Sequence, residues 1–153
     1  MMNTKFIFGR HKLMKAILLS VSSILSFNAF THGDVAPQPV DISGLEPLGE
    51  EWVERNPYSG NEAAIKLGDS AYNQNCARCH GLGAVSGGIA PDLRALPYDA
   101  EGDEWFVYRV RNGAVRNGIT YMPKFADSDG GPLQQEALWA IRAYIETQPT
   151  DDL

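Results

Sequence analysis

The chain has 153 residues, with 13 Lys and Arg against 19 Asp and Glu, a formal net charge of −6. This length allows one compact domain with an additional segment, and the acidic balance argues against a nucleic-acid-binding protein, which needs clustered positive charge. Only two cysteines occur, Cys76 and Cys79, so the chain is not a disulfide-rich secreted scaffold.

The beginning of the chain has the layout of an export signal. Four Lys and Arg residues precede an apolar run over residues 16–30, and no acidic residue occurs before Asp34. At about 15 residues, several of them polar, the run is short for a membrane-spanning helix, which needs about 20 apolar residues. We therefore predict a signal peptide over residues 1–31, with His32 as the first mature residue and no stable membrane insertion after cleavage. The alternative is an uncleaved N-terminal anchor.

Removal of this leader would change the charge of the protein. It leaves nine basic residues against all 19 acidic ones, so the mature chain carries −10 from its side chains. A surface of this kind keeps a protein in solution and favours a basic or locally basic partner.

Residues 32–60 are rich in proline and acids and are predicted to form an irregular N-terminal arm. The arm contains too many large apolar residues for a disordered linker, so part of it is expected to pack on the domain, with a short helix near 50–55. These apolar residues are Leu45, Leu48, Trp52, Val53 and Tyr58.

Residues 61–153 are assigned to one domain, and its first helix is predicted between the arm and the cysteines. Asn61 suits the N-cap position, and small and apolar residues recur after it at helical spacing. These residues are Ala64, Leu67, Gly68, Ala71 and Tyr72.

Two further helices are predicted downstream. The second begins near Asp103 and stops at Gly113, a residue type that suits a helix C-terminus. The third has Pro132 in its first turn, carries the clearest apolar stripe and is ended by Pro149. No extended sheet is expected, so the predicted fold class is all-α. The segments between the helices are long for structureless loops in a small domain, which indicates a large buried ligand.

The residues 76–80 form the pattern C-x-x-C-H, which is typical of covalent haem attachment. Two thiols one helical turn apart can reach the two vinyl groups at one edge of the ring, and the adjacent imidazole then coordinates the iron. We therefore predict one covalent haem c, attached through Cys76 and Cys79, with His80 as an axial ligand.

Three other roles for the cysteines fit the sequence less well. A thioredoxin-like motif normally follows a strand, whereas a helix is predicted here. A structural zinc site needs four ligands, and the motif offers three, with His32 the only other histidine after the leader. A disulfide across two intervening residues would be strained and would leave His80 unexplained.

The opposite face of the iron needs a second ligand. After the leader, Met122 is the only methionine, and it precedes Pro123 in a loop 42 residues beyond His80. Ligation by His and Met closes both axial positions and gives a one-electron carrier, so no catalytic residue is predicted. His32 is an alternative ligand. A haem-based gas sensor or a haem enzyme is the alternative function, and it would need an open axial site.

Residues 62–153 resemble a class I cytochrome c. The resemblance lies in the spacing of Gly68, Tyr72 and Cys76 in the first helix and in the apolar, aromatic-bearing last helix. It implies that these two helices cross, with Gly68 at the point of close approach. It also implies that the Pro91 carbonyl orients His80 through its other ring nitrogen. The residues of the last helix that carry the resemblance are Leu138, Ile141, Tyr144 and Ile145.

Several shorter segments are similar to the cytochromes c-550 that serve quinoprotein alcohol dehydrogenases. This similarity implies a periplasmic carrier that accepts electrons from a PQQ-dependent alcohol dehydrogenase and passes them to a terminal oxidase or another downstream cytochrome. A cytochrome subunit held tightly by a dehydrogenase is a further alternative. The segments are 32–35, 45–49, 72–75 and 109–118.

Basic and aromatic residues are concentrated before Met122. At least one of Arg109, Arg111 and Arg116 is expected to pair with a haem propionate or with the acidic arm, the alternative being solvent-exposed positions on a helix face. Trp105 and Tyr121 either line the haem or belong to the ordinary core.

Overall fold

The computed structural model describes residues 36–151 and 153, so the predicted signal peptide and His32 lie outside the described residues. In this part of the chain, four α-helices and one small hairpin form an essentially all-α fold, as predicted. None of the helices in these residues combines the length and the hydrophobicity that a membrane span requires. The helices are α1 (Glu62–Asn75), α2 (Ala77–His80), α3 (Ala100–Asn112) and α4 (Gln135–Ile145). The hairpin strands are β1 (Ala114–Arg116) and β2 (Ile119–Met122), and 3-10 turns cover Leu82–Ala84, Leu93–Ala95 and Asp127–Asp129.

Helix α1 begins where the sequence predicts. The side chain of Asn61 accepts a hydrogen bond from the Ala64 amide at 3.1 Å, which satisfies one of the free amides of the first turn. One face of the helix is buried, and it ends just before the cysteines, with the Cys76 amide bonded to the Tyr72 carbonyl at 2.7 Å. The helix thus presents the cysteine motif directly at its C-terminus.

Helices α1 and α4 cross at Gly68. A Cβ atom at this position would overlap the backbone carbonyl of Ala140, so only glycine allows the approach. The ring centres of Tyr72 and Tyr144 lie 5.2 Å apart in the same helix–helix contact. The close approach that the resemblance implied at Gly68 is therefore confirmed.

Helix α3 begins earlier than predicted. Asp99 caps it, so the first helical residue is Ala100 and not one near Asp103. Asp103 lies within the helix, 3% exposed, and forms an ion pair with the buried Arg142 at 3.0 Å. The predicted stop at Gly113 is confirmed, since this residue has a φ of 66° and follows the last helical residue.

Helix α4 is shorter at both ends than predicted. Pro132 precedes it because Leu133 is extended and forms a parallel bridge with Ala126, which delays the helix to Gln135. At the other end the helix stops at Ile145. The amides of the two residues after Glu146 form turn-type hydrogen bonds, so the helix has ended before Pro149.

The arm packs on the domain as expected, but the short helix near 50–55 is absent. Backbone groups of residues 48–53 bond to side chains of α4. The side-chain amide of Gln135 donates from its nitrogen to the Gly49 carbonyl at 2.7 Å. Its oxygen accepts from the Val53 backbone amide at 3.3 Å. Tertiary contacts therefore replace the local helix. The arm residues packed against the core are Val40, Ile42, Leu45, Leu48, Trp52 and Val53, with Tyr58 inside it.

The β1–β2 hairpin was not predicted. Its strands are antiparallel, with an irregularity after Ala114, and they are joined by Asn117 and Gly118, which have φ values of 52° and 77°. An Asn-Gly pair favours this tight turn because both residues tolerate positive φ. The hairpin ends at Met122 and so determines where that residue lies.

Candidate haem-binding site

The two cysteines of the motif lie one helical turn apart. Helix α2 maintains this spacing, and the amides of Cys79 and His80 both bond to the Cys76 carbonyl, at 3.1 and 3.0 Å. Cys76 is half-buried and Cys79 is exposed, and no disulfide joins them. Burial, and then the neighbouring Cys79, raises the pKa of the Cys76 thiol to about 12. The motif thus offers two free thiols in the arrangement that attachment to adjacent vinyl groups requires.

The imidazole of His80 is held in a defined tautomer. The side chain is buried, and its Nδ1 atom lies 2.8 Å from the Pro91 carbonyl oxygen. Because a carbonyl can only accept, Nδ1 carries the proton and Nε2 is left free to coordinate a metal. Burial lowers the pKa of His80, and the bond to Pro91 partly opposes this shift. The contact implied for Pro91 is confirmed, whereas iron ligation by His80 stays a prediction.

The loop that carries Pro91 is fixed by an ion pair that the sequence analysis missed. Arg94 donates to both carboxylate oxygens of Asp92, from Nε at 3.0 Å and from Nη2 at 2.9 Å. These hydrogen bonds lower the pKa of Asp92 to about 2. Arg94 also donates to the Pro149 carbonyl at 2.9 Å, which ties the loop to the chain beyond α4. The sequence feature that could have revealed this ion pair is the Asp-x-Arg spacing just after Pro91.

Tyr72 fixes the chain immediately after the motif. Its hydroxyl donates to the Gly81 carbonyl at 2.7 Å, so α1 is tied to the turn that follows His80. Gly81 has a φ of 81°, and a Cβ there would overlap the Val85 carbonyl. Burial raises the pKa of Tyr72 well above its usual value, which keeps the hydroxyl protonated as a donor.

Met122 lies at the end of β2, partly buried against the core cluster that Cys76 also contacts. It pairs with Ala114, and its carbonyl lies where a side chain at Gly113 would be, so glycine is required there as well. Beyond it, the Phe125 amide bonds to the Val110 carbonyl of α3 at 2.8 Å. The position of Met122 is therefore well defined, and its role as the second axial ligand remains a prediction.

Many large apolar and aromatic side chains are exposed in α3 and in the segments on either side of it. Leu82 and Ile89, in the segment that directly follows the motif, are 76% and 79% exposed. Soluble proteins rarely expose so much apolar surface without a ligand or partner to cover it. An apolar porphyrin attached at Cys76 and Cys79 would contact the neighbouring chain, so the residues present fit a haem. The exposed set outside the C-terminus is Leu82, Val85, Ile89, Tyr98, Trp105, Tyr108, Val115, Ile119 and Tyr121.

Arg109 and Arg116 contact aromatic rings. The Arg109 guanidinium lies 5.3 Å from the centre of the Trp105 ring and donates to the Gly113 carbonyl at 3.0 Å. The Arg116 guanidinium lies 5.9 Å from the centre of the Tyr121 ring. Trp105 and Tyr121 are 38% and 63% exposed, so neither belongs to the protein core.

Arg111 contacts the arm through a ring and not through an acid. Its Nε atom lies 2.7 Å from Asp129, which is outside the arm, and its guanidinium stacks 5.1 Å from the centre of the Trp52 ring. Arg111 therefore contacts the arm only through its tryptophan, and no arm acid pairs with Arg109, Arg111 or Arg116 among the described residues. Pairing with a haem propionate stays a prediction.

The structure bears on one of the alternatives to haem attachment directly. A helix precedes the motif, as expected for a haem site and not for a thioredoxin-like one. Within the part of the chain that the structure describes, no group of three or more His, Cys, Asp or Glu side chains could hold a metal ion.

The chain is similar to known cytochromes and to part of a quinohemoprotein alcohol dehydrogenase. The family described as cytochrome c oxidase, cbb3-type, subunit III matches residues 63–145. Cytochrome c550 of Pseudomonas aeruginosa is 54% identical over 148 residues, which cover 94% of this chain and 99% of that protein. Quinohemoprotein alcohol dehydrogenase ADH-IIG of Pseudomonas putida is 41% identical over 70 residues, covering 46% of this chain and 9% of that enzyme.

A more distant relative is the chloroplastic cytochrome c6 of Chlamydomonas reinhardtii, 30% identical over 86% of this chain and 84% of that protein. No solved structure matches the chain significantly. The likeness to cytochrome c550 extends over nearly the whole of both chains, and the family model matches more than half of this chain. The chain therefore belongs to the class I c-type cytochromes, carries covalent haem c and acts as an electron carrier rather than an enzyme.

Proposed function

We propose that this cytochrome is a periplasmic mono-haem carrier that accepts electrons from a PQQ-dependent alcohol dehydrogenase. It then passes them to a terminal oxidase or another downstream cytochrome of the respiratory chain. The observation that carries the proposal is the similarity to cytochrome c550 over almost the entire chain. Partial matches to two quinohemoprotein alcohol dehydrogenases, 41% and 35% identical, add support for this donor class.

Four residues would hold the haem in this proposal. Cys76 and Cys79 would form the two thioether bonds, and His80 and Met122 would be the axial ligands. Haem iron, when bound, supplies a reversible one-electron couple. The hydrogen bond from His80 to Pro91 supports the first axial assignment, because it leaves Nε2 as an acceptor. The position of Met122 at the end of a well-braced hairpin supports the second.

The periplasmic location is supported by the order of charges in the leader, with all its basic residues before the apolar run. Cell fractionation tests it: haem-stained protein that starts near His32 is expected in the periplasmic fraction. Full-length protein in the membrane fraction would instead indicate an uncleaved anchor.

The donor is tested by direct reduction. The oxidised cytochrome is mixed with a purified PQQ-dependent alcohol dehydrogenase, and its absorption is followed with and without alcohol. Rapid reduction that requires both alcohol and enzyme is expected. A c-type cytochrome with a basic surface serves as a control for unspecific reduction. No reduction under any salt condition would discard this donor and leave a carrier for a different enzyme.

A further inference from the structure

Four side chains from three parts of the chain form a closed ring of contacts, which we call the Trp52 cluster. The Trp52 indole donates to the Ser128 hydroxyl at 3.2 Å, and that hydroxyl donates to Asp129 at 2.8 Å. Asp129 accepts from Arg111 at 2.7 Å, and the Arg111 guanidinium lies over the Trp52 ring at 5.1 Å. Each member therefore contacts two others.

The Trp52 cluster lies at the base of the segment that carries Met122. Arg111 is in the last turn of α3, and Ser128 and Asp129 lie in the 3-10 turn before α4. The ion pair between Arg111 and Asp129 thus joins the two ends of residues 112–127, which include the hairpin and Met122. The segment is closed by side chains at the point where it leaves and re-enters the domain.

Trp52 brings the arm into this closure. The arm is itself held to α4, through Gln135 at Gly49 and through Glu136, which accepts from the Leu48 amide at 2.8 Å. The Trp52 cluster consequently braces the Met122 segment against the last helix by way of the arm. This brace is additional to the backbone bond between Phe125 and Val110.

We propose that the Trp52 cluster is a positioning device that keeps the Met122 sulfur on the haem iron. The proposal rests on the assignment of Met122 as the axial ligand. A thioether is a neutral, weak ligand, so its retention depends on how rarely the segment that carries it opens. The contacts of the cluster are partly exposed, and contacts of this kind add little to global stability. Their effect is therefore expected on local opening of the segment rather than on unfolding of the whole protein.

The test uses exogenous imidazole, which binds ferric iron only when Met122 has left it. Arg111→Gln removes both the ion pair and the ring contact, and Ser128→Ala removes both hydroxyl bonds. Either change is expected to raise the affinity of the intact haem protein for imidazole at least about threefold, the size expected for losing such contacts. Trp52→Phe removes only the indole donor, so a smaller increase is expected.

Arg55→Gln is the matched control. Like Arg111→Gln, it removes an arginine whose Nε pairs with a carboxylate, here Asp103 at 3.1 Å, but both partners lie outside the Met122 segment. Imidazole affinity should stay unchanged in this variant. Thermal unfolding of all variants, followed by far-UV circular dichroism, separates local opening from loss of global stability.

Three results would overturn the proposal, and the third is distinguishable from the first two. If Arg111→Gln and Ser128→Ala fold but bind imidazole as the wild type does, or if Arg55→Gln raises the affinity equally, the cluster does not position the ligand. If Met122→Ala leaves the spectrum and the imidazole affinity unchanged, the axial assignment itself is wrong. Ser128 is exposed, so its variant is expected to fold even if the arginine variant does not.

Discussion

At His80, burial and a single hydrogen bond prepare the imidazole for a metal. Burial lowers its pKa and so favours the neutral ring, while the Pro91 carbonyl fixes the proton on Nδ1. The ion pair of Asp92 with Arg94 then holds the loop that carries Pro91. The orientation of this imidazole is thus set by residues up to 14 positions later in the chain.

The attachment assignment predicts the behaviour of the cysteine variants. Cys76→Ser or Cys79→Ser removes one of the two thiols, so covalently bound haem is expected to fall sharply in each. A denaturing gel stained for haem measures this directly, with the wild type on the same gel. Wild-type staining in both single variants would contradict the motif assignment.

The axial assignment predicts a spectral change. Met122→Ala removes the only thioether after the leader, so the weak long-wavelength band of ferric iron bound to a thioether should disappear. The reduction potential should also fall, because His/Met ligation raises it, and carbon monoxide should bind the reduced protein. An unchanged spectrum would remove Met122 from the site and favour His32.

Asp92 predicts a pH dependence with a definite sign. Its pKa is lowered from 3.8 to about 2 in the folded protein, so its contribution to stability is present above about pH 4 and is lost as the pH falls towards 2. Asp92→Asn removes this dependence. Denaturant unfolding of both proteins between pH 2 and 5 should show the difference in stability shrinking as the pH falls. A constant difference would contradict the role of the ionised carboxylate.

At the scale of the elements, the crossing of α1 and α4 predicts how much stability is lost when a methyl group is added at Gly68. Gly68→Ala places a Cβ against the Ala140 carbonyl, and overpacking of this kind costs about 1–3 kcal/mol or more. The melting temperature is therefore expected to drop by several degrees. Gly87→Ala is the control, because a Cβ at Gly87 meets nothing within 4 Å and should change the melting temperature little. Equal melting temperatures would show that the helices can separate without loss.

The elements also show which parts of the fold the sequence can predict. The start of α1 was predictable because Asn61 caps it with its own side chain, a local effect. The start of α3 was misplaced because Gly102 weakens the helical pattern after Asp99, while its amide bonds to the Asp99 side chain. The helix predicted in the arm does not form because the side chain of Gln135, about 85 residues away, bonds to the backbone there. No local sequence pattern shows such a contact.

The candidate site divides in the same way. Cys76, Cys79 and His80 could be proposed as haem-binding residues from the sequence alone, because their spacing is the C-x-x-C-H attachment pattern. The contact with Pro91 followed only from a family resemblance. The ring of contacts around Trp52 could not be predicted, because it joins residues 52, 111, 128 and 129, which become neighbours only in the folded chain.

At the scale of the whole molecule, the charges are unevenly distributed. Residues 105–126 contain no Asp or Glu and four basic residues, although the predicted mature chain carries −10. Of these four, only Arg111 forms an ion pair within the described part of the chain. Met122 lies inside this acid-free segment, so the region proposed to adjoin the haem iron is locally basic. The four basic residues are Arg109, Arg111, Arg116 and Lys124.

This distribution predicts how salt affects reduction by the proposed donor. Transient electron-transfer complexes bury little surface and depend on electrostatic steering, which is screened over about 8–10 Å at ionic strengths of 0.1–0.15 M. The second-order rate in stopped-flow measurements is therefore expected to fall as salt rises. At about 0.15 M a bound partner responds mainly to charges close to the contact, so the acid-free segment should matter more than the net charge.

Two charge reversals separate these contributions. Arg116→Glu and Lys66→Glu change the net charge equally, but Arg116 lies in the acid-free segment and Lys66 is an exposed residue of α1. Arg116→Glu is expected to slow reduction several-fold near physiological salt, while Lys66→Glu leaves it nearly unchanged. Equal effects of both would mean that the net charge alone steers the encounter. A flat salt profile with fast reduction would remove the steering argument but keep the donor, because apolar contact can suffice for a short-lived complex.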